Sequence, residues 1–167
     1  MRQLIEMVAF NAWANERFRS TLKLIPLAKL NIETPYGLLI ERIVHVFISV
    51  NMWLDRIEGN SAKYVPSAKD YPSWEEIESS WIAADRRLIE FIKKYKNPED
   101  FDEIIKYYSL KNDQFEASVS NILIHLSHHQ MYHRGQIAMA LRQNKLPPVP
   151  STDGIAFFRS EDKNNFL

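Results

Sequence analysis

The sequence predicts an all-α fold, and more specifically a four-helix bundle. Four long segments carry apolar residues at helical spacing, and prolines or polar capping residues separate them. Only four glycines occur in 167 residues, which also favours helices. This length suits one domain with a single core, so we expect a single domain over residues 1–167. Two of the connections are long, which predicts crossover connections rather than tight turns throughout.

The first two predicted helices start and end near prolines and polar residues. The first runs from Arg2 to about Ile25, where Pro26 would break it. For the second, Thr34 is a predicted cap, and residues 35–58 form the helix because proline suits the first helical position. The second helix is apolar on nearly all sides. We therefore expect it at the centre of the bundle, or between the bundle and a subunit interface.

The third helix follows a long connection. Residues 60–72 carry two prolines and several polar side chains, which predicts a surface segment. Ser73 comes next and has Glu76 three positions later, the pattern of a capping box, so the helix should begin there. Helical spacing continues to about Lys96, and Asn97–Pro98 ends it.

The remaining chain contains one irregular segment, one long helix and a short tail. Residues 99–117 lose helical periodicity, which predicts a short β-hairpin or an extended crossover before helix four. The fourth helix should begin at about Ser118 or Ser120 and end at Asn144. Prolines stiffen the tail, and residues 151–160 have room for one helical turn.

Charge and composition exclude several classes of function. Basic and acidic residues number 21 each, so the formal net charge is zero, and we expect no nucleic-acid partner because such binding needs a concentrated basic surface. There is no cysteine, so disulfides and cysteine metal ligands are excluded. Polar residues are spread throughout the first 19 positions, unlike in a signal peptide or a membrane span. We therefore expect a cytoplasmic protein with no membrane partner.

Histidines are concentrated in one part of the fourth predicted helix. The chain has five, and four of them are His125, His128, His129 and His133. Residues four apart lie on one face of a helix, so His125, His129 and His133 share a stripe, whereas His128 lies to one side. Two imidazoles at this spacing can bind one metal ion.

The spacing leaves two possible metal-binding pairs. They are His125 with His129, or His129 with His133. His45, in the middle of the apolar second helix, is the natural third ligand because a buried imidazole needs a partner and facing helices lie ~8–10 Å apart. Three imidazoles would leave an open position, as catalytic metals need. Gln130 follows His129, so this is not the HExxH motif of metalloproteases.

A structural role for these side chains is the competing interpretation. A helical histidine is often a surface residue or a hydrogen-bonded core residue. His125 and His128 fit that role, or one of them could orient a ligand imidazole through a hydrogen bond. Arg134 and Gln136 could line a pocket, but a solvated flank of the helix explains them equally well.

Four segments together resemble one protein family, the DinB-like (DinB/YfiT) family. They occur in the family's order and spacing, and they cover nearly the whole chain. The segment YHRGQ, four residues after a histidine, is the most specific of these matches. The four segments are NAWANERF at 11–18, HVFISVNMWLDRIEG at 45–59, HLSHHQMYHRGQIAMALRQ at 125–143 and PPVPSTDGIAFFR at 147–159.

The resemblance implies a DinB/YfiT-like four-helix bundle with an unusual helix order, generally as a homodimer. It also implies a metal site made by one histidine of helix two and two of helix four. In this chain those are His45, His129 and His133, so the resemblance selects His129–His133 as the pair. The implied ion is nickel or zinc. His128 stands where the family often has asparagine.

What the resemblance implies about activity is broader. The family name reflects DNA-damage-inducible expression in some bacteria. Relatives include isomerases and transferases that use a low-molecular-weight thiol, and the metal can hold that thiol as a thiolate. We therefore expect a metal-dependent transferase or isomerase with a small-molecule substrate. The alternatives are a metal-dependent hydrolase, and a dimeric stress-response binding module in which the metal is structural.

Overall fold

The computed structural model describes residues 2–60 and 64–166, and these form a helical bundle with two small hairpins. The predicted all-α bundle is thereby confirmed. The helices and strands are α1 (Arg2–Leu22), β1 (Glu33–Thr34), β2 (Gly37–Leu38), α2 (Leu39–Ile57), α3 (Trp74–Lys94), β3 (Ile104–Tyr108), β4 (Gln114–Ser118), α4 (Val119–Gln143) and α5 (Gly154–Arg159). No helix in these ranges is long and apolar enough to cross a membrane.

Helix α2 is central to the packing, as its apolar sequence predicts. It packs on both α3 and α4, while α1 covers the other sides of α3 and α4. Ile43, Phe47 and Leu54 of α2 are fully buried, and so are Trp81 of α3 and Leu126 of α4. A helix buried on two sides cannot carry the single polar face of a surface helix, which explains its composition.

The predicted start of α2 is wrong. Thr34 ends β1, Pro35 begins the two-residue turn to β2, and the helix begins at Leu39. The Thr34 hydroxyl donates to the carbonyl oxygen of Gly37 (2.6 Å) and accepts from the backbone N–H of Tyr36 (3.1 Å). Gly37 has φ = +91°, a left-handed conformation that favours glycine. The threonine therefore closes a turn instead of capping the helix.

The other helix starts follow their predicted caps. The Ser73 hydroxyl accepts from the backbone N–H of Glu76 (3.2 Å) at the start of α3. The Ser118 hydroxyl accepts in the same way from Asn121 (3.2 Å) at the start of α4. Of the two predicted starts for the fourth helix, Ser118 is therefore the correct one.

Two helices end two or more residues earlier than predicted. Helix α1 ends at Leu22, and a tightened turn with an Ile25 N–H···O Leu22 bond continues to the predicted end. Helix α3 ends at Lys94 instead of Lys96, because the Asp100 carboxylate accepts the backbone N–H groups of Lys96 and Asn97. These bonds replace the helical ones and turn the chain away.

The segments outside the four long helices also take defined structures. Strands β3 and β4 pair antiparallel, which confirms a hairpin rather than an extended crossover. The predicted connection 60–72 includes residues 61–63, which lie outside the described residues. Its later part contains a 3₁₀ turn at Ala68–Asp70. The predicted helical turn of the tail is α5, whose Phe157 is buried against Trp13 of α1.

Candidate metal centre

Helices α2 and α4 bring three histidines together. His45 comes from α2, and His129 and His133 lie one turn apart on α4. The Nε2 atom of His129 lies 3.1 Å from the Nε2 of His45 and 3.1 Å from the Nε2 of His133. One ring nitrogen from each residue lies within 4.8 Å of the others, so the three imidazoles could hold one metal ion.

Two side chains lie beside the Nδ1 atoms of the α4 imidazoles. The Ser49 hydroxyl donates to the carbonyl oxygen of Val46 (2.9 Å), and its oxygen lies 3.3 Å from Nδ1 of His129. The Gln136 side-chain oxygen lies 2.8 Å from Nδ1 of His133. A neutral imidazole carries one N–H, so the tautomers that use both contacts carry the proton on Nδ1 and leave Nε2 free to bind a cation.

This protonation pattern fits a metal ion. His129 and His133 point their Nε2 lone pairs at each other across 3.1 Å, an arrangement that a cation between them stabilises. His45 can supply one proton to one neighbour, but not to both contacts of His129. Two imidazoles bound to one zinc at about 2.0–2.1 Å lie about 3–3.5 Å apart, close to the observed separation. The donor set therefore suits a divalent transition metal.

Burial keeps these histidines neutral, as metal binding requires. The pKa of His45 is lowered to about 4, first by burial and then by the nearby His133 and Arg42. The pKa of His129 is lowered to about 3, again first by burial and then by repulsion from His133 and His45. The pKa of His133 is lowered by burial too, although its bond to Gln136 opposes the shift.

We expect the metal-free protein to lose stability as the pH falls from 6.5 towards about 4. In that window the unfolded chain protonates His45 and His129, whereas the folded chain resists, so protons favour unfolding. Above pH 6.5, the ordinary pKa of histidine, the unfolded chain is not protonated at these positions and this loss of stability is absent. Urea unfolding of chelator-treated protein at about pH 7 and about pH 5 measures the change.

The matched comparison is a His45→Gln/His129→Gln double variant. Burial raises the pKa of Asp85 to about 6, so this carboxyl acts with the opposite sign in the same range. Asp85 is present in both proteins, and its effect cancels when their pH dependences are subtracted. An equal loss of stability in both proteins would contradict the prediction.

The other two α4 histidines lie outside the triad. The ring of His125 is 5.4 Å from that of His129 and packs on Trp53 at 5.2 Å. His128 is exposed and borders an apolar depression that includes Phe10. Neither residue hydrogen-bonds to a triad imidazole in the described part of the chain. Gln136, which the sequence analysis considered as a pocket residue, and Ser49, which it did not single out, take the orienting role instead.

Arg134 does not lie on a solvated flank of the helix. It is buried, and it also lines a depression that includes Phe10 and Met131. Its guanidinium donates to the side-chain oxygens of Asn15 (2.8 Å) and Asn11 (2.7 Å) of α1. Burial lowers the pKa of Arg134 to about 10, although the nearby Asp85 opposes the shift.

The same buried polar cluster joins three helices. Asn15 of α1 donates to Asp85 of α3 (2.7 Å) and to Gln130 of α4 (2.7 Å), and Arg19 of α1 forms an ion pair with Asp85. Gln130 immediately follows His129, so the cluster fixes the rotation of α4 that turns the metal-binding face towards α2. The sequence signal was a polar stripe on α1, at 11, 15 and 19, on a face that is otherwise apolar.

Comparisons with known proteins agree with this architecture. The Protein DinB of Bacillus subtilis (strain 168) is 22% identical over 165 residues, which cover 93% of this chain and 94% of that protein. A crystal structure of a DinB-like protein from Bacillus cereus ATCC 10987 superposes with a TM-score of 0.61 at 22% identity, covering 83% of this chain and 89% of that one. At that identity the structural likeness supports the fold alone. The sequence model of the DinB family matches residues 1–164, and the chain belongs to the DinB family.

Proposed function

We propose that the chain binds one divalent metal ion, nickel or zinc, through His45, His129 and His133, and that it is a metal-dependent enzyme of the thiol-using transferase or isomerase type. One observation carries the metal-binding proposal: the Nε2 atom of His129 lies 3.1 Å from the Nε2 atoms of both His45 and His133. Three protein ligands leave coordination positions for a substrate. When bound there, the ion would act as a Lewis acid and would stabilise a thiolate.

The groups around the triad favour thiol chemistry over water activation. The Ser49 hydroxyl proton is already donated to Val46, Gln136 carries only an amide, and Arg42 is a cation. None of these side chains can accept a proton from a bound water at neutral pH. When bound to the ion, a thiol would be deprotonated outright without a protein base, whereas a bound water would keep a pKa of about 7 and would be deprotonated only in part. The chain has no cysteine, so the thiol would be a low-molecular-weight co-substrate.

Hydrolysis of a small substrate is the second candidate, and one observation favours it. His125 packs near His129, and burial lowers its pKa, with repulsion from Arg56 added to it. A neutral imidazole beside a metal site is a suitable general base. His128 does not share this position, because it lies on the flank that faces α1 and α5.

We also propose a homodimer. Met131 of α4 and Phe158 of α5 are exposed to 55% and 42%, and they border one apolar depression. Contiguous exposed apolar surface is typical of a protein interface.

A dimeric binding module in which the metal is purely structural is the non-enzymatic alternative. In that case chelation would lower the melting temperature without removing any turnover.

Metal analysis and a turnover screen test the proposed function together. We expect about one nickel or zinc ion per untagged chain, since residues 2–60 and 64–166 contain one histidine triad. Turnover of electrophilic small molecules should require both the ion and an added thiol. Turnover that needs the metal but is unchanged by thiol would favour the hydrolase. Absence of metal from protein refolded with nickel or zinc would contradict metal binding altogether.

A further inference from the structure

The face of α2 that points towards α4 carries two arginines, and one of them, Arg42, lies beside the metal centre. Arg42 precedes His45 by three residues, and Arg56 lies on the same face nearer the end of the helix. The histidines beside these arginines are neutral, so the arginines give this face a positive charge. The formal net charge of the whole chain is zero, so the positive charge of this face is balanced by acidic residues elsewhere on the protein.

The acidic residues of α2 do not neutralise this face. Asp55 and Glu58 both accept from Arg87 of α3 at 2.7 Å, on the far side of the helix. Glu41 accepts from the backbone N–H of Ala68 (3.1 Å). Each carboxylate of α2 is thus engaged away from the triad, and no ion pair involves Arg42 among residues 2–60 and 64–166.

Arg42 itself lacks a partner that an arginine normally has. Its Nε atom is buried and makes no hydrogen bond within the described chain. By contrast, the Arg56 guanidinium lies over the rings of Trp53 (4.6 Å) and Tyr107 (5.3 Å). A buried N–H without an acceptor is destabilising, and the planar guanidinium matches a carboxylate or phosphate in two parallel bonds.

The position of Arg42 connects this missing partner with the metal centre. Residues three apart on a helix have Cβ atoms about 5–6 Å apart, so Arg42 is a direct neighbour of His45. A small molecule that reaches both the open coordination position and Arg42 would satisfy the guanidinium.

We propose that Arg42 binds an anionic group, a carboxylate or phosphate, of the molecule that completes the metal coordination. This makes the thiol or substrate an anionic small molecule, and Arg42 a residue that determines specificity. The inference rests on the proposed metal-dependent function. It goes further, because it names the charge of the ligand and the side chain that selects it.

Cobalt-loaded protein provides the test, because cobalt absorption reports thiolate coordination. The probes are 2-mercaptoethanol and 3-mercaptopropionate, which share a thiol and differ by a carboxylate. We expect the wild-type protein to bind 3-mercaptopropionate about tenfold more tightly, and Arg42→Gln to lose that preference. Arg86→Gln, an exposed arginine on α3, is the matched control and should keep it.

A second readout separates this role from a general structural one. Arg42→Gln removes a cation near the triad, so it should bind cobalt at least as tightly as the wild type while losing the carboxylate preference. Equal affinity of the wild type for both probes, or an undiminished preference in Arg42→Gln, would overturn the inference. Failure of the wild type to bind cobalt would instead contradict the proposed metal binding. That result differs from a failure of the Arg42 inference, in which cobalt binds but the carboxylate preference is absent.

Discussion

Replacing His129 by alanine is expected to weaken metal binding by more than about a hundredfold, beyond the 10–100-fold that loss of an orienting partner causes. His129 is the central residue of the triad, since its Nε2 lies 3.1 Å from the Nε2 atoms of both His45 and His133. Competition with a chromogenic chelator measures the affinity. The variant should also lose thiol-dependent turnover, because the remaining two imidazoles cannot hold the ion in place.

Thermal unfolding adds a second expectation for the same variant. A ligand at a thousand times its dissociation constant stabilises a protein by about 4 kcal/mol, so metal should raise the melting temperature of the wild type and not of His129→Ala. Without metal, the two proteins should differ far less, because the substitution also removes the lone-pair contacts of His129.

His128→Ala is the matched control for this prediction. His128 is adjacent in sequence, but it is exposed and points away from the triad. The metal affinity of the His128→Ala variant, and the rise in its melting temperature when metal is added, should equal those of the wild type. Unchanged metal content in His129→Ala, or a loss in His128→Ala equal to that in His129→Ala, would contradict the proposed coordination.

The location of this site could be predicted from the sequence because it depends on helical spacing. His129 and His133 are four residues apart, and that distance alone places them on one face. His45 could be identified because it is an imidazole in an apolar helix. Choosing between His125 and His133 required the family resemblance, since both have the same spacing from His129. The structure brings His133 to the triad and leaves His125 beside it.

Other features could not be predicted from the sequence, because one local sequence pattern is compatible with two structures. Thr34-Pro35 suits both a helix start and a tight turn, and the left-handed Gly37 decides for the turn. Arg134 looked like a flank residue because its acceptors lie on another helix, more than a hundred residues away in sequence. Long-range polar pairs of this kind leave no periodic signal on their own helix.

The second large effect is expected at the buried ion pair that anchors the polar cluster. Asp85→Ala should lower the free energy of unfolding by about 3–5 kcal/mol, because it leaves the charge of Arg19 buried without its partner. Urea unfolding near neutral pH measures this loss. Glu90→Ala, at an exposed position of the same helix, should change stability by no more than about 0.5 kcal/mol.

A double variant shows whether the charge or the cluster as a whole is responsible. Arg19→Met/Asp85→Leu removes both charges and keeps apolar volume, so it should recover most of the stability lost in Asp85→Ala. The Asn15 bond to Gln130 and the Arg134 bonds to α1 survive in this variant, and they still fix the rotation of α4. Metal affinity should therefore remain close to the wild-type value. A double variant as unstable as Asp85→Ala would show that the uncompensated charge of Arg19 is not the cause.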